Sequence, residues 1–319
     1  MLKTVALKPV DGVEILTLQD NTIDLTVMDN NEVIQRARPL VGLEMKNSIL
    51  AEHGFASMVT VTTGDTRRCM LFDFGFSKDG AASNAKSLQV DLTAVEQMAL
   101  SHGHLDHVGG LQALVKMTQK YEIPLVLHPA AYTHPRFTRS PNGKKIQFPA
   151  FTPATVMAAG AISIETEEPY AMLEGLALFL GYIQRTSSFE RGTPHLHCEI
   201  EGKEQPDPFN DDTAMVFNVS GKGLVVLTGC AHAGIVNTVT YAMKVTGVEK
   251  VMAIMGGFHL GGADLESVVK PTVSALKSFN PEYIVPTHCT SRKAVQLIEE
   301  EMPDAFILNM SGTRLTFHA

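Results

Sequence analysis

Three histidines and one aspartate lie within six residues of one another in the segment SHGHLDHVGG, residues 101–110. The segment directly follows Met98–Ser101, a short apolar run typical of a buried strand. Burying so many polar groups is costly unless something holds them together, and a divalent metal ion does so. The segment therefore predicts a metal site.

Spacing within this segment divides its side chains into two pairs. His102 and His104 are two residues apart, so in an extended segment they point the same way and can bind one ion. Asp106 and His107 follow one turn later and would point to the other side, towards a second ion. Two ions about 3.5–4 Å apart can share a hydroxide and act on both the attacking and the leaving oxygen of a hydrolysis.

Buried strands must position such a site, and the chain contains several candidates. Val13–Leu18 and Thr22–Val27 are predicted strands, and Met58–Thr63 and Cys69–Phe74 a hairpin around Gly64 and Asp65. Further apolar runs of buried-strand type are Met98–Ser101, Leu125–Leu127, Leu224–Thr228, Val251–Met255 and Tyr283–Val285. Four of the strand ends carry histidine, in SHGHLDH, GCAH, GGFH and PTH.

Helical patterns follow these loops, which favours layers of helix on sheet in an α/β or α+β domain. One stripe contains Leu111, Leu114 and Val115, and another contains Ile235, Val236, Val239 and Met243 and stops at Gly247. Asp264 is predicted to cap a third helix, which tolerates Pro271 with a kink. Ser291 is predicted to cap a fourth.

Composition excludes several functional classes. The net charge of −8 over 319 residues argues against nucleic acid and against an anionic membrane surface as partners. No stretch approaches the roughly 20 apolar residues of a membrane helix. The four cysteines are far apart and form no C-x-x-C pair, which indicates a reducing compartment. We expect a cytoplasmic protein that acts on a small molecule.

Residues 129–212 differ from the rest of the chain, because they are rich in Pro, Thr and charge. We predict one domain over residues 1–319 with a lid or insertion at about 129–212. Residues 123–164 contain no Asp or Glu, and their basic residues are Arg136, Arg139, Lys144 and Lys145. These four residues suggest an anionic substrate such as a phosphoester or carboxylate; the alternative is a solvated basic loop.

The H-x-H-x-D-H run resembles the signature of the metallo-β-lactamase superfamily. Together with AEHGFAS, LFDFG, DDTAMVFN, LTGCAHAGIVN, GGFHL and PTHCT, it resembles one branch, the 7,8-dihydropterin-6-yl-methyl-4-(β-D-ribofuranosyl)aminobenzene 5′-phosphate synthase-like metal-dependent hydrolases. The resemblance runs from about Ala51 to Cys289. It implies a four-layer αββα sandwich with the metals at one edge, and a link to pterin chemistry.

The resemblance also implies the later ligands, which lie at the ends of further strands. His288 in PTH matches the last histidine of the second metal. Cys230 in LTGC takes the place of a bridging carboxylate, and is either a thiolate ligand or a small core residue. His232 is the expected third imidazole of the first metal. The alternatives are a one-metal site, or an oxygen ligand from Asp211 or Asp212.

Three further histidine positions complete the candidates. His259 in GGFHL is expected to act as an acid, an oxyanion donor or an extra ligand. His53 is either a site residue or an ordinary loop histidine. The run His195-Leu196-His197-Cys198 has an attractive spacing but lacks a partner strand, so we interpret it as solvated loop or lid.

Together these features predict a metallohydrolase that uses metal-activated hydroxide on a small anionic phosphoester or carboxylic ester. Asp106 would hold the nucleophile and take its proton, and His259 would protonate the leaving group or stabilise negative charge. Zinc is the expected metal, one or two ions, with iron or manganese as alternatives. A pterin-linked transferase and a non-catalytic metal-dependent binding protein are the alternative functions.

Overall fold

The computed structural model describes residues 4–45, 47–193, 195–262 and 265–319. The strands are β1 (Pro9–Val10), β2 (Gly12–Gln19), β3 (Ile34–Gln35), β4 (Leu40–Val41), β5 (Glu44–Met45), β6 (Ala56–Thr63), β7 (Thr66–Phe74), β8 (Val95–Ala99), β9 (Ile123–Leu127), β10 (Arg136–Arg139), β11 (Lys145–Gln147), β12 (Ala161–Glu165), β13 (Tyr170–Met172), β14 (Ala177–Phe179), β15 (Leu196–Ile200), β16 (Lys203–Pro206), β17 (Ala214–Val219), β18 (Gly223–Thr228), β19 (Val251–Gly257), β20 (Tyr283–Thr287) and β21 (Arg314–His318). The α-helices are α1 (Gly80–Ser87), α2 (Leu105–Val108), α3 (Leu111–Thr118), α4 (Pro153–Ala158), α5 (Ile235–Thr246), α6 (Glu266–Ser278) and α7 (Arg292–Glu301). Among the described residues, no helix is both long and apolar enough to cross a membrane.

Two large sheets form the centre of the molecule. The eight-stranded sheet has the order β12-β9-β8-β7-β6-β2-β21-β3, and the seven-stranded sheet has the order β13-β14-β17-β18-β19-β20, with β1 paired to β17. Strands β7, β8 and β9 run parallel, as do β18, β19 and β20. Because parallel strands end at the same edge of a sheet, the loops that follow them lie side by side.

Three apolar clusters show how the layers pack. The inner faces of the two sheets share one cluster, in which Val59 and Phe72 of the first sheet join Phe217 and Val225 of the second. A second cluster packs α5, α6 and α7 on the outer face of the seven-stranded sheet, and a third packs α1, α3 and α4 on the outer face of the other. The predicted mixed α/β fold is confirmed, and this packing agrees with the αββα order that the resemblance implies.

Most predicted elements are present, and the prediction of one strand is wrong. β6 and β7 form the predicted hairpin, α5 ends at a left-handed Gly247, and the Ser291 side chain caps α7 by accepting from the Ala294 amide. Thr22–Val27 forms no strand, because the Asp24 carboxylate accepts from the backbone and hydroxyl of Thr26 and closes a local turn. Asp264, the predicted cap, lies outside the described residues; Pro271 lies inside α6.

The prediction of one continuous insertion over residues 129–212 is wrong in its extent. The middle of the segment supplies β12 to the eight-stranded sheet and β13 and β14 to the seven-stranded sheet. The parts on either side pair with each other as a separate four-stranded sheet of order β11-β10-β15-β16. His197 therefore has partner strands on both sides, contrary to the prediction. The lid function of this small sheet stays a prediction.

Candidate metal centre

Loops at the ends of parallel strands carry an unusual number of left-handed residues. Asp73 at the end of β7 has φ 58°, Ala231 after β18 has φ 54°, His259 after β19 has φ 46°, and His288 after β20 has φ 45°. None of these residues is glycine, so each conformation is strained and must be held by its surroundings. The loops after β18, β19 and β20 contribute histidines to one cluster, and Asp73 contacts this cluster from the end of β7.

His102, His104 and His232 form the first group of candidate ligands. One ring nitrogen from each lies within 4.8 Å of the others, and all three side chains are buried. The Nε2 atom of each ring has no hydrogen-bond partner. Three buried, unpartnered acceptors pointing at one space are costly unless a cation binds them, which is the arrangement of a three-histidine metal site.

The protonation state of these rings suits a metal. Burial lowers the pKa of His104 to about 3 and holds the pKa values of His102 and His232 well below their ordinary range. The rings are therefore neutral at physiological pH, which is the form that binds metal. Nδ1 of His102 lies 2.9 Å from Ser101 Oγ and Nδ1 of His232 lies 3.3 Å from Thr193 Oγ1, so these contacts orient the free Nε2 atoms.

Asp106, His107, Cys230 and His288 form the second group, again with ligand atoms within 4.8 Å of one another. Asp106 Oδ2 lies 3.2 Å from His288 Nε2, and His107 Nε2 lies 3.1 Å from Cys230 Sγ. Burial opposes ionisation of Asp106, but the neighbouring histidines outweigh it and hold the pKa of this carboxyl well below its usual range. The structure thus gathers the predicted ligands into two adjacent groups; their binding of metal stays a prediction.

Two supporting residues were missed by the sequence reasoning. Asp73 Oδ2 lies 2.6 Å from His107 Nδ1 and also accepts from the Ser101 hydroxyl. Asn21 Oδ1 lies 3.0 Å from His288 Nδ1, and its amide donates to the carbonyl of His288. The motif LFDFG contained the signal for Asp73, because it places an acid at the end of a buried strand. Asn21 directly precedes the stretch mistaken for a strand.

We expect Asp73→Asn to weaken metal binding at the second group by about 10- to 100-fold, because the carboxylate orients His107. Burial alone would lower the pKa of His107, but Asp73 and Asp106 raise it to about 9. The measurement is competitive metal titration with a chromophoric chelator. Asp65→Asn, in the exposed β6–β7 turn, is the control. Equal affinities for the two variants would contradict the role of Asp73.

His259 and His53 lie beside the two groups. The His259 ring lies 4.2 Å from the His232 ring, centroid to centroid, and its Nδ1 atom is buried without a hydrogen-bond partner. His53 Nε2 lies 3.4 Å from Asp106 Oδ2, and 61% of the His53 side chain is exposed. Both residues therefore contact the site, with His53 at its solvent edge.

The prediction that Arg136 binds substrate is wrong. Arg136 is buried, its two terminal nitrogens donate to Asp211 at 2.9 and 2.6 Å, and its Nε lies 2.8 Å from Asp207. Asp211 also accepts from the backbone amide of Gly103, which lies between the candidate ligands His102 and His104. Arg136 therefore holds Asp211 in place against the loop that carries these histidines. Because both oxygens of Asp211 are engaged, the structure does not favour it as a metal ligand.

The other three predicted basic residues lie on the four-stranded sheet and its turn. Arg139 and Lys145 contact Glu204 at 2.5 and 2.6 Å, and Lys144 is exposed. None of them lines the cavity beside the histidines. The structure therefore agrees with the alternative interpretation, in which these three residues belong to a solvated basic segment.

Asp212 is buried beneath the His232 loop. Its Oδ2 accepts from the Ala233 amide at 2.8 Å, its Oδ1 has no partner, and it belongs to neither ligand group. Burial raises the pKa of this carboxyl to about 7.

We expect Asp212 to contribute stability to the metal-free protein that is lost as the pH rises from about 4 to about 7, because the fold binds the Asp212 proton more tightly than the unfolded chain does. The buried histidines His102, His104 and His232 act in the opposite direction, because their lowered pKa values make the folded state more stable as the pH rises. This contribution of Asp212 is on the order of 4 kcal/mol, from the shift between its ordinary pKa of 3.8 and about 7. Urea unfolding at several pH values measures it. The free energy of unfolding of the wild-type protein relative to Asp212→Asn should therefore fall across this pH range, and a difference that stays constant would contradict the assignment.

A cavity of about 550 Å³ opens beside the candidate ligands. Its walls include His104, Asp106, Cys230, His232 and His259, with apolar side chains from Phe76, Leu105, Phe148 and Leu196. No Lys or Arg is among the described residues that line it. Because Leu196 begins β15 and His195 directly precedes it, the four-stranded sheet forms one wall of this cavity.

Fold and site together define the class of protein: the chain belongs to the metallo-beta-lactamase superfamily, whose family model matches residues 52–288. Among curated proteins it is similar to a 7,8-dihydropterin-6-methyl-4-(beta-D-ribofuranosyl)-aminobenzene-5'-phosphate synthase from Methanocaldococcus jannaschii, with 29% identity over 91% of this chain and 98% of that protein. An uncharacterized protein of the same organism, MJ0448, is 26% identical over 78% of this chain and 88% of its own length. Among solved structures, Tm1679, a metal-dependent hydrolase of the beta-lactamase superfamily, has a TM-score of 0.72 and 23% identity over 96% of this chain and 100% of that chain.

Proposed function

We propose that this protein is a metal-dependent hydrolase that acts on a small anionic ester, of the phosphoester or carboxylic ester type. The observation that carries the proposal is the set of three buried, unpartnered Nε2 atoms of His102, His104 and His232 beside an open cavity. A divalent ion, when bound, would lower the pKa of a coordinated water molecule and polarise a carbonyl or phosphoryl oxygen of the substrate. Zinc fits the His and Cys donors, and iron or manganese fits the His and Asp donors.

The chain's own residues supply the rest of the chemistry. The Asp106 carboxylate faces the cavity and is held ionised by His107 and His288, so it is placed to orient a nucleophile and accept its proton. His259 lines the same cavity next to His232, and in the proposed reaction it would protonate a leaving group or stabilise a developing negative charge.

The walls of the cavity restrict the substrate. Since no described Lys or Arg lines it, an anionic group would be neutralised by a bound metal ion rather than by a basic side chain. Phe76, Leu105, Phe148 and Leu196 would contact an apolar or planar part of the same molecule. The proposed substrate therefore joins an anionic ester to an apolar or aromatic group.

A second candidate is a pterin-linked synthase. It is favoured by the similarity to the M. jannaschii synthase, which extends over 91% of this chain. In that reaction class a pterin would be joined to a ribosylated aminobenzene phosphate, so an acceptor would take the place of water.

The experiment compares metal-loaded protein with Asp106→Asn on a panel of phosphoesters, lactones and thioesters, measuring product release with and without a dihydropterin acceptor. Release without acceptor, lost in Asp106→Asn, supports the hydrolase. Phosphate or diphosphate release that strictly needs the acceptor contradicts the hydrolase and supports the synthase. If neither protein releases product although both bind metal, the result contradicts both enzyme functions and supports a non-catalytic metal-dependent binding protein.

A further inference from the structure

A third cluster of side chains with potential metal-ligand atoms adjoins the second group. Cys230 Sγ, a ring nitrogen of His259 and Cys289 Sγ all lie within 4.8 Å of one another. They come from the loops after β18, β19 and β20, three neighbouring parallel strands. All three residues line the 550 Å³ cavity, so a solute ion can reach them.

Gly257 of β19 has no side chain, and this leaves room for the Cys289 sulfur. A Cβ atom at Gly257 would lie 2.6 Å from Cys289 Sγ and 2.4 Å from the carbonyl oxygen of Gly229. Any larger residue at position 257 would therefore displace the thiol. Cys289 Sγ lies 3.6 Å from the carbonyl oxygen of Cys230, which places the two cysteines against each other.

The third member of the cluster has a nitrogen available. Nδ1 of His259 is buried and has no hydrogen-bond partner, like the Nε2 atoms of the three-histidine group. The His259 backbone is left-handed, with φ 46°, so the loop is held in a strained conformation that presents this ring. Neither observation is explained by apolar packing of the two cysteines.

We propose that Cys230, His259 and Cys289 form a third metal subsite that binds a thiophilic divalent ion. Two sulfurs and one imidazole are a ligand set that zinc accepts, and the cavity side leaves a fourth position open. Cys230 is shared with the second group, whereas Cys289 belongs to this subsite alone. The inference concerns metal binding and does not rest on the proposed hydrolysis.

Cobalt(II) titration of the metal-free, reduced full-length protein tests this subsite, because thiolate ligands give Co²⁺ a near-ultraviolet charge-transfer band. We expect a band in the wild-type protein that loses intensity in Cys289→Ser, since one of the two cysteine ligands is removed while Cys230 stays in the second group. Cys69→Ser is the matched control: Cys69 is buried in β7, where its sulfur lies 3.4 Å from the Thr60 hydroxyl. A full band in Cys289→Ser would overturn the proposal.

A second measurement uses the wild-type protein, so it does not depend on how the variants fold. Alkylation followed by peptide mass spectrometry reads each cysteine with and without added Zn²⁺. We expect Zn²⁺ to protect Cys289 and Cys230 together, while Cys69 stays unchanged. Unchanged alkylation of Cys289 at saturating Zn²⁺ would overturn the proposal.

Discussion

Asp106→Asn is expected to lower kcat/KM by about 10²- to 10⁴-fold on any ester that the protein hydrolyses, the range for loss of a positioned acid–base group. The amide keeps the shape of the carboxylate but neither accepts a proton nor carries the charge that faces His107 and His288. Steady-state kinetics of the metal-loaded variant measures the effect, with metal content determined on the same sample so that loss of an ion is separated from loss of the base.

The control for this variant is the same substitution at Asp65, which lies exposed in the turn between β6 and β7. Asp65→Asn should keep wild-type kinetics. An Asp106→Asn enzyme that retains activity within a few-fold of wild type would show that the carboxylate takes no part in the reaction, even if the two metal groups are correct.

His232→Ala is expected to remove the ion of the three-histidine group, so that bound zinc falls by about one ion per chain. The increase in melting temperature on adding Zn²⁺ should shrink for the same reason, because only ligand bound to the folded state stabilises it. Elemental analysis after gel filtration and thermal unfolding with and without Zn²⁺ give the two readouts. His318→Ala, exposed at the end of β21, is the control.

His104→Ala provides the independent check on this group. Its ring lies 5.0 Å from His232, centroid to centroid, and it comes from a different sheet. The two variants should lose the same ion. Zinc content that stays at the wild-type level in both would contradict the three-histidine site.

Much of the fold was predictable because its strands and helices have strong local patterns. β18 is buried along its whole length and was visible as an unbroken apolar run, and the β6–β7 hairpin was marked by its turn residues. Thr22–Val27 failed because apolar alternation was outweighed by an Asp–Thr turn, which is a local hydrogen-bond effect. The division of residues 129–212 failed because short strands there gain stability only from partners far along the chain.

The site was partly predictable, because the histidine, aspartate and cysteine residues at the ends of buried strands are residue types that bind metal ions. Cys289 was not, because it lies next to the ligand candidate His288 and its meaning depends on Cys230 across the loop. Arg136 was misjudged for a related reason: its partner Asp211 is 75 residues away, and composition cannot show a buried ion pair. Spacing therefore locates candidate ligands, while their orienting partners emerge only from the folded arrangement.

A crystal structure of zinc-loaded protein, with anomalous scattering measured at the zinc edge, tests the central claim most directly. We predict one peak at about 2.0–2.1 Å from the Nε2 atoms of His102, His104 and His232, the usual zinc–imidazole distance. A second peak is predicted among Asp106, His107, Cys230 and His288. Absence of zinc from both groups at saturating concentration would contradict the account.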